Sequence, residues 1–462
     1  MAKRSDRGLA SSARGGCLRG VALLAVLVVA AALAAPLIPL DHFKPQVESR
    51  LSRLLGSKIS VGSVRFSVLR GPAIEIKGMT AREDSTFGEG SVLEADTVRA
   101  GLAMLPLVLH RQLAVQRIQF KGATLKLADR SSRSSSAGDT VYKDLELDAY
   151  VTPSDDGSSG NHATGTFRAR SEESDGAEKL GAEMPFDLLV GKSRPNNLSL
   201  KGAIGPGNIE TKNFAAQNFK SSIELNGKKA TLDQIEADLY DGTLHARSEI
   251  DMTGSKTRFS AEGDVQNLNI DQSITSKLDI AGQITGHLNS KFKLSGDVDS
   301  LPAAMATVSG AGQASSDDLF VSGLNLSTQV ARALKVDQIG DMSPGTRIGH
   351  IETGFQIAQG QINTSNVRVE RVAGLGDAAS AQGRITVSER NGKSSVSMDI
   401  PATITMSTEA MERVKSAMPL IGAAMSLLAN GNRVTIPITI RGDVRNPQVQ
   451  VDVLGFGISG GG

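Results

Sequence analysis

The segment Asp144-Leu-Glu-Leu-Asp-Ala-Tyr-Val151 alternates polar and apolar side chains without interruption. Successive side chains of a β-strand point to opposite faces of a sheet, so this pattern predicts a strand with one apolar face and one hydrated face. The same period of two recurs elsewhere, at Ile74 and Ile76, Leu125 and Leu127, Leu244 and Ile250, and Ile436 and Ile438. We therefore expect a mostly β protein.

Turn dipeptides separate these segments, among them Asn226-Gly227, Asp241-Gly242 and Asn391-Gly392. Only 3% of the 462 residues are aromatic and none is Trp, so a thick core of aromatic side chains is not expected. One-faced strands must still cover their apolar face, either with a second sheet or around an apolar ligand in a groove. Roughly twenty strands in a single sheet would form a trough about 90–100 Å long.

The N-terminus carries the signal of a membrane anchor. Basic residues precede residues 21–40, an apolar stretch of about the ~20 residues that a helix needs to cross a bilayer. A basic flank stays in the cytoplasm, so we expect residues 1–20 inside and the chain after Asp41 exported. A cleaved signal peptide with Ala32-Leu-Ala34 as its cleavage signal is the alternative, but the apolar stretch is longer than such peptides have.

Several features exclude common functions. The formal net charge is +1, which gives no basic field for nucleic acid. Cys17, the only cysteine, precedes the apolar stretch, so the exported part has no disulfide and no thiolate metal site.

A search for catalytic motifs finds two weak matches. Gly457-Ile-Ser-Gly-Gly461 fits the nucleophile-elbow pattern, but no helix can follow it, and we interpret it as a frayed tail. Gly374-Leu-Gly376 resembles a dinucleotide-binding loop, but a strand follows it, which predicts a plain turn. We therefore expect no enzyme, no catalytic or metal-binding residue and no cofactor.

Helical periodicity appears at three places. Phe43 to Leu55 predicts a short helix that either caps the first strands or lies at the membrane surface. Leu326 to Val336 predicts another. Thr408 to Leu428 predicts a third, with Ser407 as its N-cap and Pro419 as a kink. The apolar stripe of this last helix consists of Met411, Val414, Met418, Ile421, Met425 and Leu428. The stripe either packs across the end of the sheet or forms a movable plug that contacts lipid.

At both ends the sequence resembles the AsmA family of bacterial envelope proteins. The resemblance rests on a helix ending in Gly, a hairpin and a strand closing on Gly, followed later by a strand-turn-strand unit and closing strands. The segments that carry it are Phe43 to Gly56, Ile59 to Val64, Gly71 to Gly78, Leu105 to Leu107, Leu113 to Gly122, Ala237 to Leu244, Ile436 to Gly442 and Asn446-Pro447.

This resemblance implies an elongated, curved, antiparallel β-sheet groove with an apolar inner surface and a few short helices. The domains we expect are a cytoplasmic N-terminus at 1–20, an anchor at 21–40, an N-terminal β module at 41–130, low-complexity loops with one strand at 131–160, and a C-terminal groove region at 161–462 that contains helix 408–428. The residues we expect to line the groove are Ile74, Ile76, Leu125, Leu127, Leu145, Leu147, Leu244, Ile250, Ile436 and Ile438.

The function that the resemblance implies is phospholipid transport to the outer membrane, or maintenance of that membrane, by an inner-membrane protein whose bulk is periplasmic. Its expected partners are the inner membrane through residues 21–40, phospholipid as cargo, and outer-membrane or other envelope proteins, with no nucleic acid. The alternative is an envelope assembly or scaffold factor without lipid cargo.

Overall fold

A computed structural model describes most of the chain beyond the N-terminal segment. The residues that the structure describes are 44–45, 48–49, 52, 58–67, 71–82, 92–103, 109, 114–127, 140–153, 161–173, 179–194, 197–211, 214–254, 257–275, 283–297, 307–334, 343–358, 361–390, 393–417, 434–453 and 456–459.

Strands dominate this part of the chain, as the alternating pattern predicts. They are β1 (Lys58–Ser67), β2 (Ala73–Arg82), β3 (Val92–Leu102), β4 (Val115–Leu127), β5 (Thr140–Pro153), β6 (Asn161–Ser171), β7 (Leu180–Arg194), β8 (Asn197–Thr211), β9 (Ala215–Asn226), β10 (Lys229–Leu239), β11 (Gly242–Asp251), β12 (Arg258–Asn269), β13 (Ile284–Thr285), β14 (His287–Asp297), β15 (Ser309–Ser316), β16 (Leu319–Ser322), β17 (Gly345–Ala358), β18 (Gln361–Val372), β19 (Gly376–Arg390), β20 (Lys393–Met406), β21 (Thr435–Asp443), β22 (Gln448–Val453) and β23 (Phe456–Ser459).

The strands form one open, 23-stranded antiparallel sheet. Nearly every strand pairs with the strands before and after it in the chain, as β4 does with β3 and β5. Near the middle, β14 pairs with β12, and the short β13 pairs with β16. Every described strand belongs to this sheet, so the described ranges contain no second sheet that could make a sandwich. The prediction of a mostly β, antiparallel, groove-like sheet is confirmed.

Bulges interrupt the alternation inside many strands. Ile76 and Met79 are both buried on the same face although they are three residues apart. Gly78 lies between them with a φ of +62°, which glycine adopts without strain. Similar left-handed residues shift the register at Gln234 in β10 and at Asn267 in β12. At Gly78 the pairing of β2 with β1 and β3 keeps its register, so only the face of the following residues changes. At Gln234 and Asn267 the register shifts, and each of these bulges adds a residue and increases the local twist, which bends the sheet.

The later helices agree with the predictions where the structure describes them. Helix α1 spans Leu326–Leu334 and helix α2 spans Thr408–Ala417, and a short π-helical turn covers Asp271–Thr275. Ser407 caps α2, because the Ala410 N–H donates to its Oγ at 3.2 Å. Residues 335–336 and 418–428 of the predicted helices lie outside the described residues, and so does the expected kink at Pro419.

The first strand is covered at its edge by the predicted N-terminal helix. Its described residues, 44–45, 48–49 and 52, are helical. The Val61 N–H donates to Glu48 Oε1 at 2.9 Å, the Ile59 N–H donates to Ser52 Oγ at 3.0 Å, and Lys44 Nζ donates to the Gly62 carbonyl at 3.5 Å. These bonds occupy polar groups that an edge strand otherwise leaves open to other chains.

Three turn predictions are confirmed. The chain turns at Gly227, directly after Asn226, at Asp241, directly before Gly242, and over Ala373–Leu375. The predicted turn at Asn391-Gly392 lies outside the described residues.

The predicted frayed tail is wrong. Residues 456–459 are not a frayed tail but form β23, since Val451 pairs with Ile458 in the register of β22. The residue types at positions 456 and 458, Phe and Ile, favour a strand although glycines surround them.

The predicted anchor, residues 21–40, lies outside the described residues. Among the residues that are described, no helix has the length and apolar character needed to cross a membrane.

Candidate functional site: the apolar face of the sheet

One face of the sheet is apolar over most of its width, and its burial divides it into three parts. The first part lies on β1 to β7, where Ile59, Val64, Ala95 and Ala169 are among the buried residues of one continuous cluster. Their packing in one cluster shows that they share a face, while Arg65, which follows Val64 in the strand and points to the other face, is exposed.

The last part of the apolar face is closed by α1 and α2. Val330 of α1, Val414 of α2 and Ile404 of β20 are all 0% exposed and belong to one cluster with β21 and β22. Helix α1 packs against both β17 and β22. Its start is fixed because the Leu326 N–H donates to Thr346 Oγ1 at 3.0 Å and the Ser327 hydroxyl donates to the Ala373 carbonyl at 2.8 Å. We call this part the closed end.

Between them lies a small buried cluster on β9 and β10, formed by Ala216, Ala237 and Leu239, and beyond it the same face is only half-buried. Across β11, β12, β14, β15, β17 and β18 the side chains on this face alternate regularly with exposed ones, but few reach full burial. We call this part the open floor. A single row crosses it in register, from Ala246 to Gly263, Phe292, Gly312, Phe355 and Thr364.

Large side chains on the open floor lie over glycines of the neighbouring strand. A Cβ at Gly312 would stand 2.5 Å from Phe355 Cζ, and one at Gly296 would stand 2.8 Å from Phe259 Cε1. Leu294 covers Gly310 in the same way, at 2.7 Å from its Cδ2. Because these side chains recline on the sheet instead of standing up from it, they form a smooth apolar surface.

The open floor carries no charge at its described positions; its side chains are aliphatic, aromatic, glycine, Ser or Thr. A shallow depression of about 550 Å³ is lined by the floor residues Ala246, Gly263, Phe292 and Gly312 together with their neighbours along the strands, which are His245, Arg247, Glu262, Lys291, Lys293, Ala311 and Gln313. Five strand spacings separate β11 from β18, which corresponds to about 24 Å at ~4.8 Å each. One leaflet of a ~30 Å hydrocarbon core is about 15 Å thick, so an acyl chain laid across the strands fits within this length.

The opposite face of this region, from β9 to β14, is charged and is held by ion pairs between neighbouring strands. Lys220 lies 2.8 Å from Glu236, Arg247 lies 2.8 Å from Asp233, and Lys293 lies 2.8 Å from Glu262. The hydrogen bond from Lys293 holds the pKa of Glu262 below its ordinary value. A larger depression of about 1020 Å³ on this side is lined by residues of both signs, including Lys291, Glu352 and Arg368, and we interpret it as a hydrated surface.

The residues predicted to line a groove are divided among these parts. Ile76 and Leu145 are buried in the first cluster, and Ile74 and Leu125 pack against it. Leu147, Leu244 and Ile250 are half-buried on the apolar face. Ile436 and Ile438 lie in the closed end, under protein. The side chain of Leu127 lies outside the described residues.

The predicted stripe of the 408–428 helix reaches the core where it is described. Met411 is 7% exposed and Val414 is 0% exposed, so the beginning of the stripe packs on the sheet. Met418, Ile421, Met425 and Leu428 lie outside the described residues, and whether that part moves stays a prediction.

The residues of the open floor are not recognisable from the sequence alone. In the strands of Phe259, Phe292 and Phe355 many positions on the apolar face are Ala, Gly, Ser or Thr, and the glycines look like interruptions of a strand. The available signal was the pairing of isolated glycines with large apolar residues on adjacent segments, which becomes visible only once the register is known.

No metal-binding cluster of His, Cys, Asp and Glu occurs among the residues that the structure describes. Comparison of the chain with protein-family models, with curated proteins and with solved structures finds no match.

Proposed function

We propose that this protein is anchored in the inner membrane of a bacterial envelope and that its open floor holds the acyl chains of phospholipids, for transport to the outer membrane or for its maintenance. The observation that carries this proposal is the half-buried, uncharged open floor, which continues the buried face of the first strands up to the closed end. Apolar surface left uncovered in this way requires a partner.

The chemistry of the open floor favours lipid over protein as that partner. Protein-binding surfaces normally present standing aromatic and Arg side chains that anchor in pockets. Here Phe259 and Phe355 recline over glycines, and no cation is present at the described floor positions. A smooth, uncharged surface suits flexible hydrocarbon chains, which need burial but no fixed hydrogen bonds.

The proposal is tested by photo-crosslinking from the full-length protein in its own membrane. A photoreactive amino acid replaces Phe292 or Phe355 on the open floor, and in matched variants it replaces the adjacent outward residues Lys293 or Gln356. We expect mass spectrometry to find phospholipid adducts on the floor variants and several-fold fewer on the outward ones.

The scaffold alternative gives a different result in the same experiment. If the floor variants form no lipid adduct, or form protein adducts only, while the protein remains folded and in the membrane fraction, the lipid-carrying function is wrong. Equal lipid labelling from both faces would also contradict it, because it would show unspecific contact.

A further inference from the structure

The direction of the N-terminal helix shows which end of the first strands lies towards the anchor. As the helix proceeds from Lys44 to Ser52, its contacts on β1 move backwards from Gly62 to Ile59. The helix is therefore antiparallel to β1. Its beginning, which directly follows residues 21–40 in the chain, points towards Ser67 at the end of β1.

Ser67 belongs to one row across the end of the sheet. It pairs with Ala73, which pairs with Gly101, then Arg117 and finally Tyr150. The connection between β3 and β4 leaves the sheet at this same end, where the Ala103 N–H donates to the Ala114 carbonyl at 2.8 Å. We call this end of β1 to β5 the rim.

The rim carries unusual exposed apolar side chains. Leu109 is 67% exposed, Tyr150 50% and Val115 41%, and the described part of the chain has only one other exposed large apolar residue, Phe214. Leu109 lies in the connection between β3 and β4, whose first part, Met104-Leu-Pro-Leu-Val-Leu109, is apolar and whose second part contains His110, Arg111 and Gln112.

Tyr150 is held in a fixed position on the hydrated face. The Arg117 guanidinium lies 4.7 Å from the centre of its ring, and Asp148 fixes that guanidinium through hydrogen bonds of 2.8 and 2.6 Å. An exposed tyrosine beside a cation is typical of side chains that lie at the boundary between lipid and water.

Chain length places the rim near the bilayer. Four residues connect Leu40, the end of the apolar stretch, to Lys44, and at ~3.3–3.6 Å each they reach at most about 14 Å. From Gly62, the partner of Lys44, five residues lead along β1 to Ser67, about 17 Å at ~3.3 Å each. An anchor that ends at Leu40 therefore lies within about 14 Å of Lys44, and the beginning of the helix at Lys44 points towards the rim.

We propose that the rim is a membrane-contact surface, with Leu109, Val115 and Tyr150 inserted at the lipid–water boundary of the membrane that holds the anchor. This inference rests on the anchor of the proposed function. Contact through the rim fixes the orientation of the first strands relative to the membrane surface. The apolar face of the sheet then starts next to the bilayer, from which it can take up lipid.

The absence of tryptophan from the sequence allows a direct test. Single-tryptophan variants of the full-length protein, Leu109→Trp and Tyr150→Trp, are reconstituted in vesicles of phosphatidylethanolamine and phosphatidylglycerol that contain bromine-labelled lipid. Arg82→Trp, at the opposite end of β2 and also exposed, is the matched control. We expect several-fold stronger quenching at Leu109→Trp and Tyr150→Trp than at Arg82→Trp, with circular dichroism unchanged.

A fourth variant, Leu27→Trp, separates failure of the rim from failure of the anchor. If Leu27→Trp is quenched while the two rim variants resemble Arg82→Trp, the rim inference is wrong and the anchor stands. If Leu27→Trp itself is not quenched, the anchor is wrong, and the rim inference falls with it. If one of the two rim variants unfolds, the quenching of the other rim variant, compared with that of Arg82→Trp, decides whether the rim contacts the membrane.

Discussion

The closed end and the open floor are built from the same kind of strand, yet they differ in what covers their apolar face. Val330, Ile404 and Val414 at the closed end are completely buried, whereas Phe292 and Phe355 on the open floor are half-buried. The difference comes from where α1 and α2 enter the chain, between β16 and β17 and between β20 and β21. Strand alternation creates an apolar face. That face becomes a buried core only where helices inserted between the strands cover it.

This contrast has an energetic meaning. Apolar area removed from water stabilises a fold by about 25 cal/mol per Å². Fully covered side chains at the closed end contribute that stabilisation in the free protein. Half-covered side chains on the open floor contribute only part of it, and the rest becomes available when a ligand covers them.

The largest expected difference is between two leucine truncations. Leu334→Ala at the closed end, where the side chain is 3% exposed, should lower the local free energy of unfolding by about 2–5 kcal/mol, because it leaves a cavity. Leu294→Ala on the half-buried open floor should cost about 1 kcal/mol or less. Hydrogen exchange of peptides that contain α1 and β14 measures both. Equal losses would mean that the open floor is covered like the closed end.

A smaller effect is expected from adding a methyl group to the open floor. Gly312→Ala places a Cβ 2.2 Å from the Lys291 carbonyl oxygen and 2.5 Å from Phe355 Cζ, so the pairing of β14 with β15 must shift. We expect a loss of about 1–3 kcal/mol. Gly191→Ala in β7 is the matched control, since its Cβ meets nothing within 4 Å. Chemical denaturation followed by circular dichroism compares the two, and a tolerated Gly312→Ala would contradict the tight Phe–Gly packing.

The smallest effect concerns acid stability at the closed end, in the turn between β21 and β22. Arg445 donates to both carboxylate oxygens of Asp443 at 2.9 Å and lowers the pKa of Asp443 from 3.8 to about 2. A depressed folded-state pKa adds stability above the unfolded-state value, and this stability is lost as pH falls from about 4 to about 2. The Asp443 side chain is 35% exposed, so screening limits the contribution to about 1 kcal/mol or less.

Asp443→Asn is the corresponding variant. It should be slightly less stable than the parent protein at pH 7, and the difference should disappear near pH 2. Thermal melts at several pH values measure this. A difference that persists unchanged at pH 2 would show that packing, and not the carboxylate charge, stabilises the turn.

Much of the fold follows from local sequence. The alternation around Leu145 and Leu244, the turn after Asn226 and the Ser407 cap of α2 each depend on residues that are neighbours in the chain. Such signals are readable because the period of two and the capping hydroxyl act over a few residues.

The open floor and the closed end could not be predicted in the same way. Ile438 and Leu244 have the same alternating pattern, but α1 and α2 cover only the first, and that depends on distant parts of the chain. Left-handed residues at Gly78 and Asn267 change which residues share a face, so strict alternation assigns faces wrongly beyond them. The reclining of Phe355 over Gly312 depends on register between strands β15 and β17.

The meander topology has a consequence for how the chain is made. Since almost every strand pairs with its predecessor, each needs only the strand before it, and these short-range contacts favour rapid folding. A chain that emerges N-terminus first can extend the sheet one strand at a time, starting from β1 with its edge already occupied by Glu48 and Ser52. During synthesis the growing sheet then exposes its newest strand as an edge, and that strand is the point at which unfinished chains would aggregate.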